Sequence, residues 1–245
     1  MSTIFNVQSW VHLGDNIINF IFFSKIKEYI ESNNIIIHYR CHEKYHKNLN
    51  DFNCSENIVI LPWENIGYIL WQRTVFEIMP ANCAYEETLC LMFNVFLQNH
   101  NIPITVNSFD YTDKDLFVRY QNLDNKYKNI DILVVNSYPL SGQYNYNVLD
   151  WNIFLTKLSK KYTIATTEKV NDNIISLQDF SVKNIASIAT NVKKIITINT
   201  GPSIPLYNTD ILQNVDFIYM FCDDHTFKTP KIVRLQNIND LEFML

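Results

Sequence analysis

Apolar and polar positions change period along this chain in a regular way. Ile4 to Val11 reads as a strand. After Gly14 the apolar residues Ile18, Ile21, Phe22, Ile26, Tyr29 and Ile30 fall at helical spacing, with Lys27, Glu28 and Glu31 largely opposite. That is a β-turn-α unit. Asn34 to Tyr39 contains the β-branched run Ile35-Ile36-Ile37, typical of a buried parallel strand, and Asn57 to Leu61 supplies another before Pro62. Glu86 to Gln98 is a second helix, with Leu89, Met92, Phe93 and Phe96 on one face. The segment from Trp63 to Ala84 shows no clear period.

Near residues 122 to 129 the chain turns to Asn, Asp and Lys, with Leu123 and Tyr127 its only large apolar residues. A domain boundary is expected there, dividing residues 1–127 from 128–245. The second half repeats the βα logic. Strands are expected at 131–136, 162–166, Ile195 to Asn199 and Phe217 to Cys222, and helices at about 147–160, 179–191 and 204–213. The pattern predicts an α/β protein of two Rossmann-like domains facing across a cleft.

The bulk properties narrow the function classes. A hydrophobic fraction of 47% and a charged fraction of 18% describe a folded globular chain. A net charge of -5 supplies no global drive toward nucleic acid. Five cysteines without a C-x-x-C spacing suggest neither a disulfide framework nor a thiolate zinc site, which fits reduced thiols in a cytoplasmic protein. The run from Ile17 to Phe23 is too short to span a bilayer, so no transmembrane segment and no signal peptide are expected. Peripheral membrane contact stays open.

Three of the four glycines sit where a strand should turn into a helix. Gly14 lies in His12-Leu13-Gly14-Asp15, Gly142 in Ser137-Tyr138-Pro139-Leu140-Ser141-Gly142-Gln143, and Gly201 in Thr200-Gly201-Pro202-Ser203. Such turns bind phosphates and substrates in α/β proteins. Asp15 has two readings: a first-turn acid that complements the helix dipole, or a general base at the end of the first strand. Thr200 to Ser203 likewise reads either as an ordinary turn with Ser203 as N-cap or as a diphosphate cradle of backbone N–H groups. Ser137, Ser141, Gly142 and Gln143 could add donors to the same anion, or form only a loop. No G-x-G-x-x-G and no P-loop motif occurs.

Two metal readings compete with these. His42-Glu43-Lys44-Tyr45-His46 matches H-E-x-x-H, which on a helix would place both histidines on one face of a zinc hydrolase. Lys44 would oppose the dication, and no later segment offers an evident third ligand. Asp223-Asp224-His225 follows an expected strand and is more often a solvated turn than a metal site.

With those turns in place the chain resembles the heptosyltransferase-like glycosyltransferases of the GT-B fold. His12-Leu13-Gly14-Asp15-Asn16 looks like that family's N-terminal Gly-Asp motif, and Ile198-Asn199-Thr200-Gly201-Pro202-Ser203 like its C-terminal Asp-Thr-Gly element. The stretch from Ser137 to Gln143 with Trp151 is similar to the start of its donor-binding domain. The resemblance implies an inverting, metal-independent glycosyltransferase without a cofactor, moving a sugar from a nucleotide-diphosphate-sugar donor to a glycan or lipid-linked acceptor. It makes Asp15 the base, with His12 and Gly14 near the acceptor in the N-terminal half. The C-terminal half would hold the donor diphosphate through Thr200, Gly201, Pro202 and Ser203, with Ser137, Ser141, Gly142 and Gln143 beside them. Lys169 is the nearest candidate for the family's donor-phosphate lysine. Asn199 stands where the family usually has Asp, and Ile204 where a His often follows. Those departures keep a third reading alive, a non-catalytic nucleotide- or sugar-binding protein on the same fold.

Overall fold

The computed structural model describes residues 2–70, 85–108, 124–140, 142, 144–222, 231–242 and 244. The chain divides into two compact units, Met1–Tyr111 and Thr112–Leu245. Each is organised around a sheet whose described strand pairs are all parallel.

In the first unit β1 (Thr3–Gln8), β2 (Ile35–Cys41), β3 (Ile58–Pro62) and β4 (Tyr68–Ile69) lie in the order β3-β2-β1-β4. Along β2 the buried residues Ile35, Ile37, Tyr39 and Cys41 alternate with half-buried Ile36, His38 and Arg40, so one face is sealed by the core. That core is supplied by α1 (Leu13–Lys25) and α4 (Tyr85–Asn99), whose Phe22 and Phe93 rings stack at 3.9 Å. The helical pattern after Gly14 is interrupted at Ile26, and α2 (Lys27–Ser32) takes it up again. A further short helix, α3 (His46–Asn50), precedes β3.

The second unit holds six strands, β5 (Ile132–Val135), β6 (Ile164–Thr166), β7 (Ile175–Ser176), β8 (Lys194–Ile198), β9 (Phe217–Phe221) and β10 (Ile232–Leu235), ordered β10-β9-β8-β5-β6-β7. Period-two alternation splits its core between two faces. Leu133, Val135 and Ile195 pack with Ile185, Ala186, Leu206 and Ile211 on one side. Ile132, Val134, Ile196 and Ile198 pack with Trp151, Phe154 and Leu155 on the other. The helices are started by local capping. Asn147 accepts from the N–H groups of Leu149 and Asp150 at α6 (Val148–Leu158), and Ser181 from that of Asn184 at α7 (Val182–Ala189). Ahead of β5, α5 (Asn125–Lys128) carries Tyr127 into this core.

The helix expected at about 204–213 is not continuous. A 3₁₀ segment covers Gly201–Tyr207, and α8 (Thr209–Asn214) starts afresh behind Asn208, whose side chain accepts from the Asp210 N–H at 2.9 Å. Pro205 lacks an N–H and crowds the preceding turn, so an α-helix cannot run through it at low cost. Beyond β10, α9 (Ile238–Glu242) closes the described chain. Among the described residues no helix is long and apolar enough to cross a membrane.

Candidate functional site

Connectivity gives each sheet one place where strand order reverses. In the first, β1 leads to β2 and β3 on one side, whereas β4 joins its other side, with Val7 opposite Tyr68 and Gln8 opposite Ile69. In the second, β5 leads to β6 and β7, whereas β8 lies on its other flank, with Val135 opposite Thr197. At such a switch point the loops leaving neighbouring strands part in opposite directions and open a crevice at the carboxyl ends. The turn carrying Asp15 follows β1, and the turns at Ser137 and Thr200 follow β5 and β8. All three turns singled out in the sequence therefore leave strands that flank a switch point.

Asp15 occupies the third position of α1, behind His12, whose extended backbone (φ -74, ψ 171) is the N-cap. Its half-buried carboxylate interacts with the N–H groups of His12 and of Asp15 itself, the geometry of one half of a capping box. Burial pushes the carboxyl above its ordinary value of 3.8, opposed in part by the nearby His12 ring and those N–H groups. Buried polar side chains hold this helix start in place. The Asn16 amide donates to the carbonyls of Val11 and His12 at 3.0 and 2.7 Å, Tyr39 Oη donates to Asn16 Oδ1 at 2.6 Å, and Asn19 donates to Tyr39 Oη at 2.7 Å. β2 thus anchors the turn that aims Asp15.

In the second unit Asn136, directly after β5, is fully buried and links two strand ends. Its N–H donates to Thr167 Oγ1 at 3.0 Å, and its Oδ1 accepts from the Thr167 hydroxyl and from the Glu168 N–H. Ser137 Oγ lies 3.3 Å from the same hydroxyl. Burial also raises the carboxyl of Glu168. Across the switch point, Thr200 is the N-cap of the 3₁₀ segment and Ser203 is its third residue, which corrects the placing of Ser203 as cap. Ser203 is fully buried, and its hydroxyl accepts from the Thr200 N–H at 3.2 Å while donating to the Thr200 carbonyl at 2.7 Å. The Ser203 N–H is taken by the same carbonyl at 2.9 Å, and Pro202 has none. Among the described residues only the Gly201 N–H of this turn lacks a protein acceptor. The cradle is narrower than a regular α-helix start would provide.

No protein-family model and no curated protein matches the sequence. Solved structures do match. The heptosyltransferase WaaC from E. coli with ADP aligns over 99% of this chain and 96% of its own, at 10% identity and a TM-score of 0.57. The same enzyme with ADP-2-deoxy-2-fluoro heptose aligns over 95% and 93%, at 9% identity and a TM-score of 0.56. A family 9 glycosyltransferase from Veillonella parvula aligns over 98% and 88%, at 11% identity and a TM-score of 0.55. The chain has the fold of these glycosyltransferases.

Within this glycosyltransferase fold the remaining candidates take definite places. Lys169 is exposed and paired with Asp172 at 2.8 Å. Gly142 has φ +71 in a turn whose N–H reaches the Pro139 carbonyl at 3.3 Å. Ser141, Gln143 and Asp223-Asp224-His225 lie outside the described residues. The helical frame expected for the H-E-x-x-H pattern does not form. His42 is extended (ψ 131) before a 3₁₀ turn over Glu43–Tyr45, and His46 opens α3 with Nε2 3.4 Å from the Cys41 carbonyl. The i,i+4 face needed to present two histidines to one ion is therefore absent.

An aromatic row lies outside the apolar periodicity of the sequence. Trp10 follows β1 and is 59% exposed, and Trp63 follows β3 and is 44% exposed. The Trp63 ring is stacked with that of His42, which follows β2, at 6.4 Å and 22°. Three consecutive strands of the glycosyltransferase fold thus present a flat ring at their carboxyl ends. The available signal was a tryptophan within two residues of the ends of β1 and β3, in a chain with four.

Proposed function

We propose that this protein is a glycosyltransferase that moves a sugar from a nucleoside-diphosphate sugar to a hydroxyl of a glycan or lipid-linked acceptor, with inversion and without a metal. One observation carries the reading. The carboxylate turn and the two polar turns leave strands beside the switch points of two parallel sheets, in a fold shared with glycosyltransferases solved with ADP and an ADP-sugar.

Asp15 acts as the base. Its raised carboxyl pKa makes it a stronger proton acceptor than a solvated aspartate, provided that it is ionised at the working pH. It takes the proton of the acceptor hydroxyl, whose oxygen attacks the sugar carbon as the bond to the diphosphate breaks. The leaving diphosphate gains negative charge, so donors already fixed in place stabilise the transition state more than the ground state. The Gly201 N–H and the Ser137 hydroxyl supply such donors, and buried Ser203 holds the turn around Gly201. The exposed faces of Trp10 and Trp63 suit an acceptor with apolar C–H faces, as a sugar ring has.

The experiment is a thermal-shift panel of nucleosides, nucleoside diphosphates and their sugar conjugates, followed by transfer assays with the best donor. A ligand at 100 times its Kd stabilises by about 2.7 kcal/mol, so a donor raises the melting temperature measurably. Asp15→Asn keeps that shift and loses transfer by about 10²-fold or more. No shift with any nucleotide would remove the donor site. A shift without turnover in the wild type would turn the assignment to a binding protein.

A further inference from the structure

Strand register brings the row of Trp10, His42 and Trp63 to one level of the first sheet. Gln8 of β1 stands opposite Arg40 of β2, and Arg40 opposite Leu61 of β3. Two residues further along each strand come Trp10, His42 and Trp63. The ladder runs on past β1, since the Ser9 N–H donates to the Arg40 carbonyl at 2.8 Å, and the stacked rings of His42 and Trp63 keep the same order beyond β2 and β3. By the two-residue alternation these positions belong to the face of Gln8 and Arg40. The core lies on the other face, where Tyr39 packs against Phe20 and Phe23.

The exposed rings are held from behind. Buried Tyr45 meets the His42 ring edge-on at 6.1 Å and 78°, which fixes the imidazole that backs Trp63. Gln8 Nε2 donates to the Gly67 carbonyl at 3.0 Å, and Arg40 pairs with Glu64 at 3.0 Å, so the loop carrying Trp63 is tied to β1 and β2 at both its ends. Rings fixed before a ligand arrives cost little ordering entropy on binding. β1 and β3 lie about 10 Å apart across β2, which lets the row span two linked sugar rings.

Charge around the row selects the kind of ligand. In the turns at 9–15, 42–45 and 63–67 the acids are Asp15, Glu43 and Glu64, and the lysine is Lys44, which lies over the Tyr45 ring at 4.9 Å. Arg40 is engaged by Glu64. A phosphate or carboxylate would meet more negative than positive charge there. Nucleic acid, whose bases also stack on flat rings, is disfavoured by the same balance. An uncharged sugar meets no such conflict, and its C–H bonds carry the partial positive charge that an aromatic face attracts.

We propose that the acceptor is an uncharged glycan, two of whose rings lie on Trp10 and on the stack of Trp63 with His42. Its role as acceptor rests on the glycosyltransferase reading above; the affinity for uncharged sugar does not. Trp10 comes two residues before His12, the N-cap of the helix that carries Asp15. A ring seated on Trp10 therefore lies beside the turn of the base, where a hydroxyl can be presented to it. The row sets acceptor affinity and takes no part in the chemical step.

The test is calorimetric titration of the full chain with neutral trisaccharides of glucose, galactose, mannose and N-acetylglucosamine, and with trigalacturonate as the acidic counterpart. At least one neutral trisaccharide is expected to bind and to shift tryptophan emission to the blue as the exposed rings lose water, and trigalacturonate is expected to do neither. Trp10→Ala and Trp63→Ala should each weaken that binding about tenfold, whereas Trp63→Phe should stay within about threefold. Both tryptophans are exposed, and circular dichroism checks that each variant folds. The control Lys27→Gln, on α2, should bind as wild type. Nucleotide thermal shifts should be unchanged in every variant, because the donor turns belong to the other unit. In transfer assays the alanine variants should raise the acceptor KM about tenfold and keep kcat within about twofold. The proposal is overturned if no neutral trisaccharide binds, if trigalacturonate binds more tightly, if the alanine variants bind as wild type, or if Lys27→Gln loses as much as they do. A dimer that Trp10→Ala, Trp63→Ala converts to monomers would overturn it too and assign the row to a second copy. Neutral sugar bound at the row by a protein that no nucleotide stabilises would instead remove the transferase reading and leave the sugar site standing.

Discussion

Asp15 illustrates how one side chain trades stability for chemistry. Burial raises its pKa, so the fold disfavours its ionised form. The penalty is present above the folded-state pKa and is relieved as pH falls through it toward the unfolded value. Asp15→Asn should therefore raise the urea midpoint at neutral pH, and the gain should vanish in acid, where the wild-type carboxyl is protonated too. If Asp15 is the base, kcat/KM falls on the acid side with an apparent pKa above the ordinary 3.8. Unchanged transfer by Asp15→Asn would sink that role. The glycines separate at the same scale. Of the three glycines at strand-to-helix turns, Gly14, Gly142 and Gly201, Gly142 alone has a positive φ, and the other positive φ among the described glycines belongs to Gly67. A Cβ on Gly67 (φ +98) would lie 2.2 Å from the Asn6 carbonyl oxygen, against the backbone of β1. At Gly142 (φ +71) it would meet nothing within 4 Å. Gly67→Ala should cost about 3 kcal/mol and Gly142→Ala about 1 kcal/mol by denaturant titration. The sequence offered no clue to Gly67, because its demand comes from a strand some sixty residues away.

Among the elements, those with an unambiguous period were legible and those made by pairing were not. Helices α1, α4, α6 and α7 and strands β1, β2, β3, β5, β6, β8 and β9 fall where apolar spacing places them. β4 and β7 have two residues each and exist because β1 and β6 offer them an edge. After β8, apolar Ile204, Leu206 and Ile211 suit the period of one helix, but Pro205 breaks it into a 3₁₀ segment and α8. Beside the buried apolar residues of the 3₁₀ segment, one buried hydroxyl ties its first turn. Ser203→Ala leaves the Thr200 N–H without its acceptor and should cost about 1–2 kcal/mol of stability. Nucleotide affinity should fall several-fold with it, measured by titration calorimetry. Full affinity in a destabilised Ser203→Ala would separate this turn from the donor.

For the whole molecule, the chain alone determined that two α/β units follow one another, because the order of periods along it encodes βα repeats and buried runs. It also marked Asp15, Ser137 and Thr200 as turn residues after strands. That those turns flank switch points was decided by strand order, since a switch point exists only once β4 has crossed to the far side of β1 and β8 to the far side of β5. The same holds for the row of Trp10, His42 and Trp63, which are neighbours through strand pairing and not through sequence. Period is a local property that each segment carries within itself. Adjacency of strand ends is set by long-range pairing, and only the folded sheet contains it.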